Sequence, residues 1–229
     1  MSTLHAQTAA PVHATGTYYR ILDVAEALFA RHGIQGTSIR TITDQADVNV
    51  AAVNYHFRSK DKLVSEIIRR RAQSLEQERS DLLDEIEARC RQEGRPPRPE
   101  ELVSVLISPT FKRIRSGDPG WINFIRFHAR LIWEPGAERF STQMASRGMF
   151  ERVDELLQEA LPELARDSAL RSWRLQFVRA ASQQTIIVLA MLESGEEPHS
   201  ISLASAIKDF SVDRIERELI AFVTAGLKG

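Results

Sequence analysis

Apolar residues in this chain recur every three to four positions, and nowhere is the period-two alternation of a half-buried strand sustained. Ile21, Val24, Ala25, Leu28 and Phe29 fall at i, i+3, i+4, i+7 and i+8, a single stripe on one helix. The same spacing returns along most of the sequence, so the predicted fold class is all-α. The chain has 229 residues, 43% of them hydrophobic and 27% charged. That is enough apolar material for one large or two modest domains, and too much for a disordered chain.

Capping residues and breakers divide the pattern. Thr17 and Gly33 bracket a first helix over 17–32, and Ser38 caps a second carrying Ile39, Ile42 and Ala46. Asp47-Val48-Asn49 interrupts it, Asp tolerating a left-handed turn and Asn49 capping the next helix. That third helix, over Val50–His56, turns Val53 and Phe57 inward. Two short helices joined by a tight turn form a helix-turn-helix, whose second helix enters the major groove in DNA-binding versions. Ser59 then caps a long helix reaching about Cys90, and "RQEGRPPRPE" (91–100) breaks the chain. Further helices are predicted over 100–116, 121–133, 138–160, 168–193 and 212–227. The division is a 1–15 arm, a 16–62 helix-turn-helix domain and a 63–229 helical domain.

Charge supports a partner at one end. The net charge is −1. Gly16 to Gln73 carries nine Lys/Arg against six Asp/Glu, and the chain from Ser74 carries 21 against 25. A basic head on an acidic body suits an anionic partner. The single cysteine, Cys90, cannot form an intrachain disulfide and favours a reducing compartment. The start "MSTLHAQTAAPVHATG" lacks a basic n-region and an apolar core, and the run "TIIVLAML" is too short to span a bilayer. A cytoplasmic protein without a membrane partner is expected. The six histidines lack metal-ligand spacing, and no nucleophile elbow or phosphate loop is present. Neither an enzyme nor a bound metal or cofactor is expected.

At residues 17–64 these features meet a known pattern. "ILDVAEALFARHGIQGTSIRTITDQADVNVAAVNYHFRSKDKLV" closely resembles the N-terminal domain of TetR-family transcriptional regulators. The matching marks are Gly33…Gly36-Thr37-Ser38, Ile39…Ile42…Ala46…Val48, Tyr55-His56-Phe57 and Ser59-Lys60-Asp61…Leu63. Asp47 stands where the family commonly has Gly. The resemblance implies a helical homodimer that binds operator DNA. It also implies a divergent C-terminal domain with a small-molecule pocket, and repression as the commoner mode. "VNYHFRSKDKLVSEIIRRR", "ERSDLLDEIEA" and "GWINFIRFHARL" resemble a branch responding to fatty acids or acyl-CoA.

Single residues take roles in this scheme. The small Val50 and Ala51 allow close approach to base edges, and Asn54 can pair with an adenine edge or a phosphate. Thr37 and Ser38 sit at a helix start that favours a phosphate, Lys60 adds charge to a second one, and Arg40 is the candidate for guanine. The family motif implies phosphate contacts from Tyr55 and His56. Trp121, Phe124 and His128 share one helix face, and with Phe140, Met144, Phe150 and Gln183 form the candidate effector pocket. Asn123, Arg126 and Arg130 are expected on a wet face. Leu175, Val178, Ser182, Ile186 and Leu189, with Ile215, Leu219, Phe222 and Val223, form stripes expected to build a four-helix dimer interface. The competing readings are a ligand-independent DNA binder, which would have a filled C-terminal core, and an enzyme reusing an all-α fold.

Overall fold

The computed structural model describes residues 12–131, 134–140, 147–195 and 211–229. Within them the chain is helical, with no strand among the described residues. The helices are α1 (Val12–His32), α2 (Ile39–Ala46), α3 (Val50–Phe57), α4 (Lys60–Gln92), α5 (Pro99–Arg115), α6 (Pro119–Leu131), α7 (Arg147–Ala160), α8 (Pro162–Arg166), α9 (Ser168–Glu193) and α10 (Val212–Lys228). A 3-10 turn covers Ala137–Phe140.

The local chemistry explains the boundaries. Ser38 Oγ accepts from the Thr41 N–H, Asn49 Oδ1 from Ala52 and Ser59 Oγ from Lys62, so three successive helices have side-chain N-caps. Asp47 takes the left-handed conformation, φ 50° and ψ 54°, which closes the turn without glycine. Gly36 is needed for space, because a Cβ there would lie 2.3 Å from the His32 carbonyl oxygen. Three boundaries differ from expectation, one being the helix expected over 138–160, where a 3-10 turn ends at Phe140 and α7 begins at Arg147. Helix α1 begins at Val12, inside the arm expected over 1–15. Pro162, read as a breaker, instead opens the five-residue α8, because proline suits the first helical position.

Two cores form, and they do not divide at residue 62. The first joins Ile21, Phe29, Ile42, Val53 and Phe57 to Leu63 and Ile67 of α4. Trp121, Phe124, Phe127 and Leu131 of α6, with Phe140, complete it. The second lies among α4, α5, α7, α9 and α10 and includes Leu83, Phe111, Val153, Leu157, Leu189 and Leu227. Helix α6 thus lends one face to the helix-turn-helix end, while Ile122 and Ile125 serve the other core. The 33-residue α4 runs through both. At the normal rise per residue it is roughly 50 Å long.

Candidate nucleic-acid interface and effector domain

Helix α3 presents two faces. Val53 and Phe57 are buried, while Val50, Ala51, Asn54 and Tyr55 are exposed, Tyr55 to 80%. His56 is half-buried, its ring edge-on to those of Tyr18 and Tyr55. Tyr18 stacks on Phe57 with ring centroids 5.0 Å apart and donates its hydroxyl to Glu66 of α4. Burial and the adjacent Glu66 carboxylate push the Tyr18 phenol up to about 12. Helix α1 therefore buttresses the far end of α3 through a residue that has no helix-turn-helix motif position of its own. An exposed, polar-tipped helix on a rigid base can enter a groove.

The other expected DNA contacts divide. Ser38 and Arg40 are exposed on α2. Thr37 is corrected: it is 2% exposed, and its hydroxyl donates to the Gly33 carbonyl at 2.9 Å. The Thr37 side chain points inward, where it can hold no phosphate. The Lys60 ammonium donates to the Ile34 and Thr37 carbonyls at 2.8 and 3.1 Å. It ties the start of α4 to the α1–α2 connection.

Beneath this unit lies a buried ionic hub. Glu26 on α1 is 1% exposed and accepts from Arg70 at 2.8 Å and from Arg71 at 2.7 and 3.0 Å. Arg71 in turn lies over the Trp121 ring, and Arg113 of α5 lies over it as well, each 4.8 Å from the centroid. Charge and packing together lock α1 to α4, α5 and α6. The sequence reading missed Glu26. An acid directly beside the apolar α1 stripe, between Ala25 and Leu28, was the available signal.

The expected pocket does not assemble. Trp121, Phe124 and Phe140 are buried in the core shared with the DNA-binding end. The cause is that α6 lays this face on α1 rather than around a cavity. Phe150 lies instead between Arg79 of α4 and Arg179 of α9, 5.7 and 5.6 Å from the guanidinium carbons. His128 and Gln183 are half-buried, and burial lowers the His128 pKa. Met144 lies outside the described residues. Arg126, expected on a wet face, is only 9% exposed. A groove of about 590 Å³ does exist, but it lies among Tyr18, Tyr19, Arg69, Gln73 and Arg113, on α1, α4 and α5.

The expected dimer stripe is corrected too. Val178, Leu189, Leu219 and Val223 are buried in the subunit's own core, and Leu175, Ile186 and Ile215 pack against it. Ser182 is half-buried, its hydroxyl oxygen covered. Of that set only Phe222 stands bare, at 72%. The unpartnered face lies round the helix: Leu170, Trp173 and Phe177 of α9 are 41, 63 and 63% exposed. Helix α9 is apolar on two sides, so periodicity could not say which side the subunit itself covers. By length and composition alone this 26-residue helix is also apolar enough to cross a bilayer.

Comparison with known proteins meets this geometry. Residues 21–67 match the family model for bacterial regulatory proteins of the tetR family, and residues 104–226 match a tetracyclin repressor-like C-terminal domain. The chain belongs to the TetR family. That family is one of bacterial regulatory proteins rather than of enzymes. Over 55 residues it is 38% identical to the HTH-type transcriptional repressor KstR2 of Rhodococcus jostii, covering 24% of this chain and 27% of that protein. Over 49 residues it is 41% identical to the probable HTH-type transcriptional regulator YttP of Bacillus subtilis, covering 21% and 24%. These matches span about a quarter of each relative. The solved structure of the ketosteroid transcriptional regulator KstR2 of Mycobacterium tuberculosis is similar over 97% of this chain and 98% of that one, with TM-score 0.54 and 17% identity. The fatty acid degradation regulator FadR of Bacillus halodurans is similar over 97% and 99%, with TM-score 0.56 and 14% identity. Likeness at this level is likeness of fold.

Proposed function

We propose that this regulator binds operator DNA as a homodimer in the cytoplasm, as a repressor released by a small hydrophobic effector. The carrying observation is α3, whose Val50, Ala51, Asn54 and Tyr55 stand exposed on a base fixed by capping residues and by Tyr18. Asn54 and Arg40 read bases in this proposal; Ser38, Tyr55 and His56 hold phosphates. Lys60 reaches a phosphate only by leaving one of its two carbonyls.

A second copy covers Leu170, Trp173, Phe177 and Phe222, since exposed apolar surface of this kind marks an interface. The effector is proposed to bind beside Phe150. Arg79, whose guanidinium lies over that ring, has its Nε buried without a hydrogen-bond partner among the described residues. Fatty acids, acyl-CoAs and ketosteroids are the first compounds to test, given the names of the two similar structures.

Selection of bound duplexes from a random library tests the reading directly. A recovered inverted repeat, with Asn54→Ala changing the preferred sequence, is the expected result. Recovery of no enriched sequence would overturn it.

A further inference from the structure

Among the described residues, two that are not glycine have positive φ, Asp47 and Arg58, and they flank the recognition helix on either side. Asp47 makes the turn. Arg58 is harder to explain. Its φ of 63° and ψ of −32° suit glycine far better than an L side chain. The cap needs only the Arg58 backbone N–H, which donates to the Asn54 carbonyl at 3.1 Å. The guanidinium is exposed, and no hydrogen bond or ion pair holds it among the described residues. Four residues on, Lys62 lies in the first turn of α4, where the helix dipole disfavours a cation. Its ammonium has no partner among the described residues either. Two cations therefore sit where the local backbone and electrostatics disfavour them. Local rules are broken in this way where function requires it.

The two side chains line one notch of about 280 Å³, together with Tyr18, His56, Phe57 and Glu66. Glu66 does not neutralise it, because its carboxylate is held by Arg69 and by the Tyr18 hydroxyl. The notch lies at the C-terminal end of α3, bordered there by His56, Phe57 and Arg58. We propose that the notch of Arg58 and Lys62 binds a phosphodiester of the duplex backbone beside the groove that α3 enters. This rests on the DNA-binding reading above. Arg58 supplies a planar fork and Lys62 a point charge, a pairing suited to phosphate oxygens.

The test needs no known operator. Binding of a fluorescent 30-base-pair duplex of random sequence is followed by anisotropy across a salt series, for the full chain and for Arg58→Gly, Arg58→Lys, Lys62→Ala and Arg91→Ala. Loss of one phosphate contact lowers the salt slope by about 0.9, roughly an eightfold loss of affinity at 0.1 M salt. Arg58→Gly and Lys62→Ala are each expected to show it, without a fall in Tm. Arg58→Lys should keep the slope, and Arg91→Ala, at the far end of α4, should match the parent. An unchanged slope in Arg58→Gly and Lys62→Ala, or a lowered Tm that accompanies the loss, overturns the notch and leaves the regulator's DNA binding standing. If the parent protein binds no duplex at any salt, the DNA-binding reading fails and the notch fails with it.

Discussion

Glu26 and His128 show what a single titratable group can decide. Glu26 is a carboxylate with both oxygens bonded by arginines whose own side chains are 20 and 14% exposed. Glu26→Ala leaves Arg71 without a carboxylate at the α1–α4 junction, Arg70 keeping Asp23 at 2.8 Å, and breaking a buried pair costs about 3–5 kcal/mol. Urea denaturation should show a loss toward the lower part of that range, since both partners keep some contact with water. Unchanged stability would mean that solvent already screens the pair. His128 makes the opposite kind of prediction. Burial lowers its folded pKa, so between the folded and unfolded values the unfolded chain binds more protons. Stability contributed by neutral His128 is fully present above the unfolded value near 6.5 and falls as pH drops below it. Glu101 works in its own, more acid window. Arg95 leads in holding it well below the usual carboxylate range, so its contribution persists above about pH 4.5 and is lost only on further acidification. His128→Gln should therefore flatten the stability profile as pH falls below about 6.5 and leave the fall below pH 4.5 intact.

At the scale of elements, α2, α3 and the start of α4 were legible in the sequence, because their signals are local. Ser38, Asn49 and Ser59 each cap the helix they precede, and Asp47 makes its turn by its own backbone preference. Helices α6 and α9 were legible as helices but not as neighbours. Both carry apolar residues on more than one side, and only packing decides that α6 lays Trp121 and Phe124 on α1, or that α9 keeps Val178 inside and Phe177 outside. The exposed face leads to a prediction. Trp173→Glu with Phe177→Arg should give a soluble monomer by sedimentation velocity, because each buried aromatic contributes roughly 1.5–3 kcal/mol, tenfold or more in dimer affinity. Val178→Ala should instead lower Tm with little effect on assembly. A double variant that remains dimeric would place the interface elsewhere. The segment after α6 is a second such element. Glu134 accepts from the Gln35 N–H at 2.9 Å and Arg139 pairs with Asp61 at 3.3 Å, so one short stretch grips both the α1–α2 turn and the start of α4.

Those grips set what the whole molecule can do. With Glu26 fixing α1 to α4, and Glu134 and Arg139 fixing the chain beyond α6 to the same unit, the DNA-binding end has no independent hinge in the described contacts. It must tilt with α4 and α6. In a dimer the two α3 helices have to lie about 34 Å apart to meet successive major grooves, so a tilt of a lever roughly 50 Å long changes a spacing that DNA does not forgive. The effector proposed beside Phe150 would touch that lever at Arg79, near its middle. It releases DNA only if it binds the mis-spaced arrangement more tightly, and a coupling of about 1–3 kcal/mol corresponds to a 5- to 150-fold loss of operator affinity. Linkage then fixes the converse: operator must weaken effector binding by the same factor. Titrating a verified effector with and without operator should give dissociation constants differing by that ratio. In Glu134→Gln with Arg139→Ala, both factors should shrink together, because the same grips carry the coupling in either direction. Equal effector affinity in the presence and absence of operator would refute release through α4 and leave the effector a bystander.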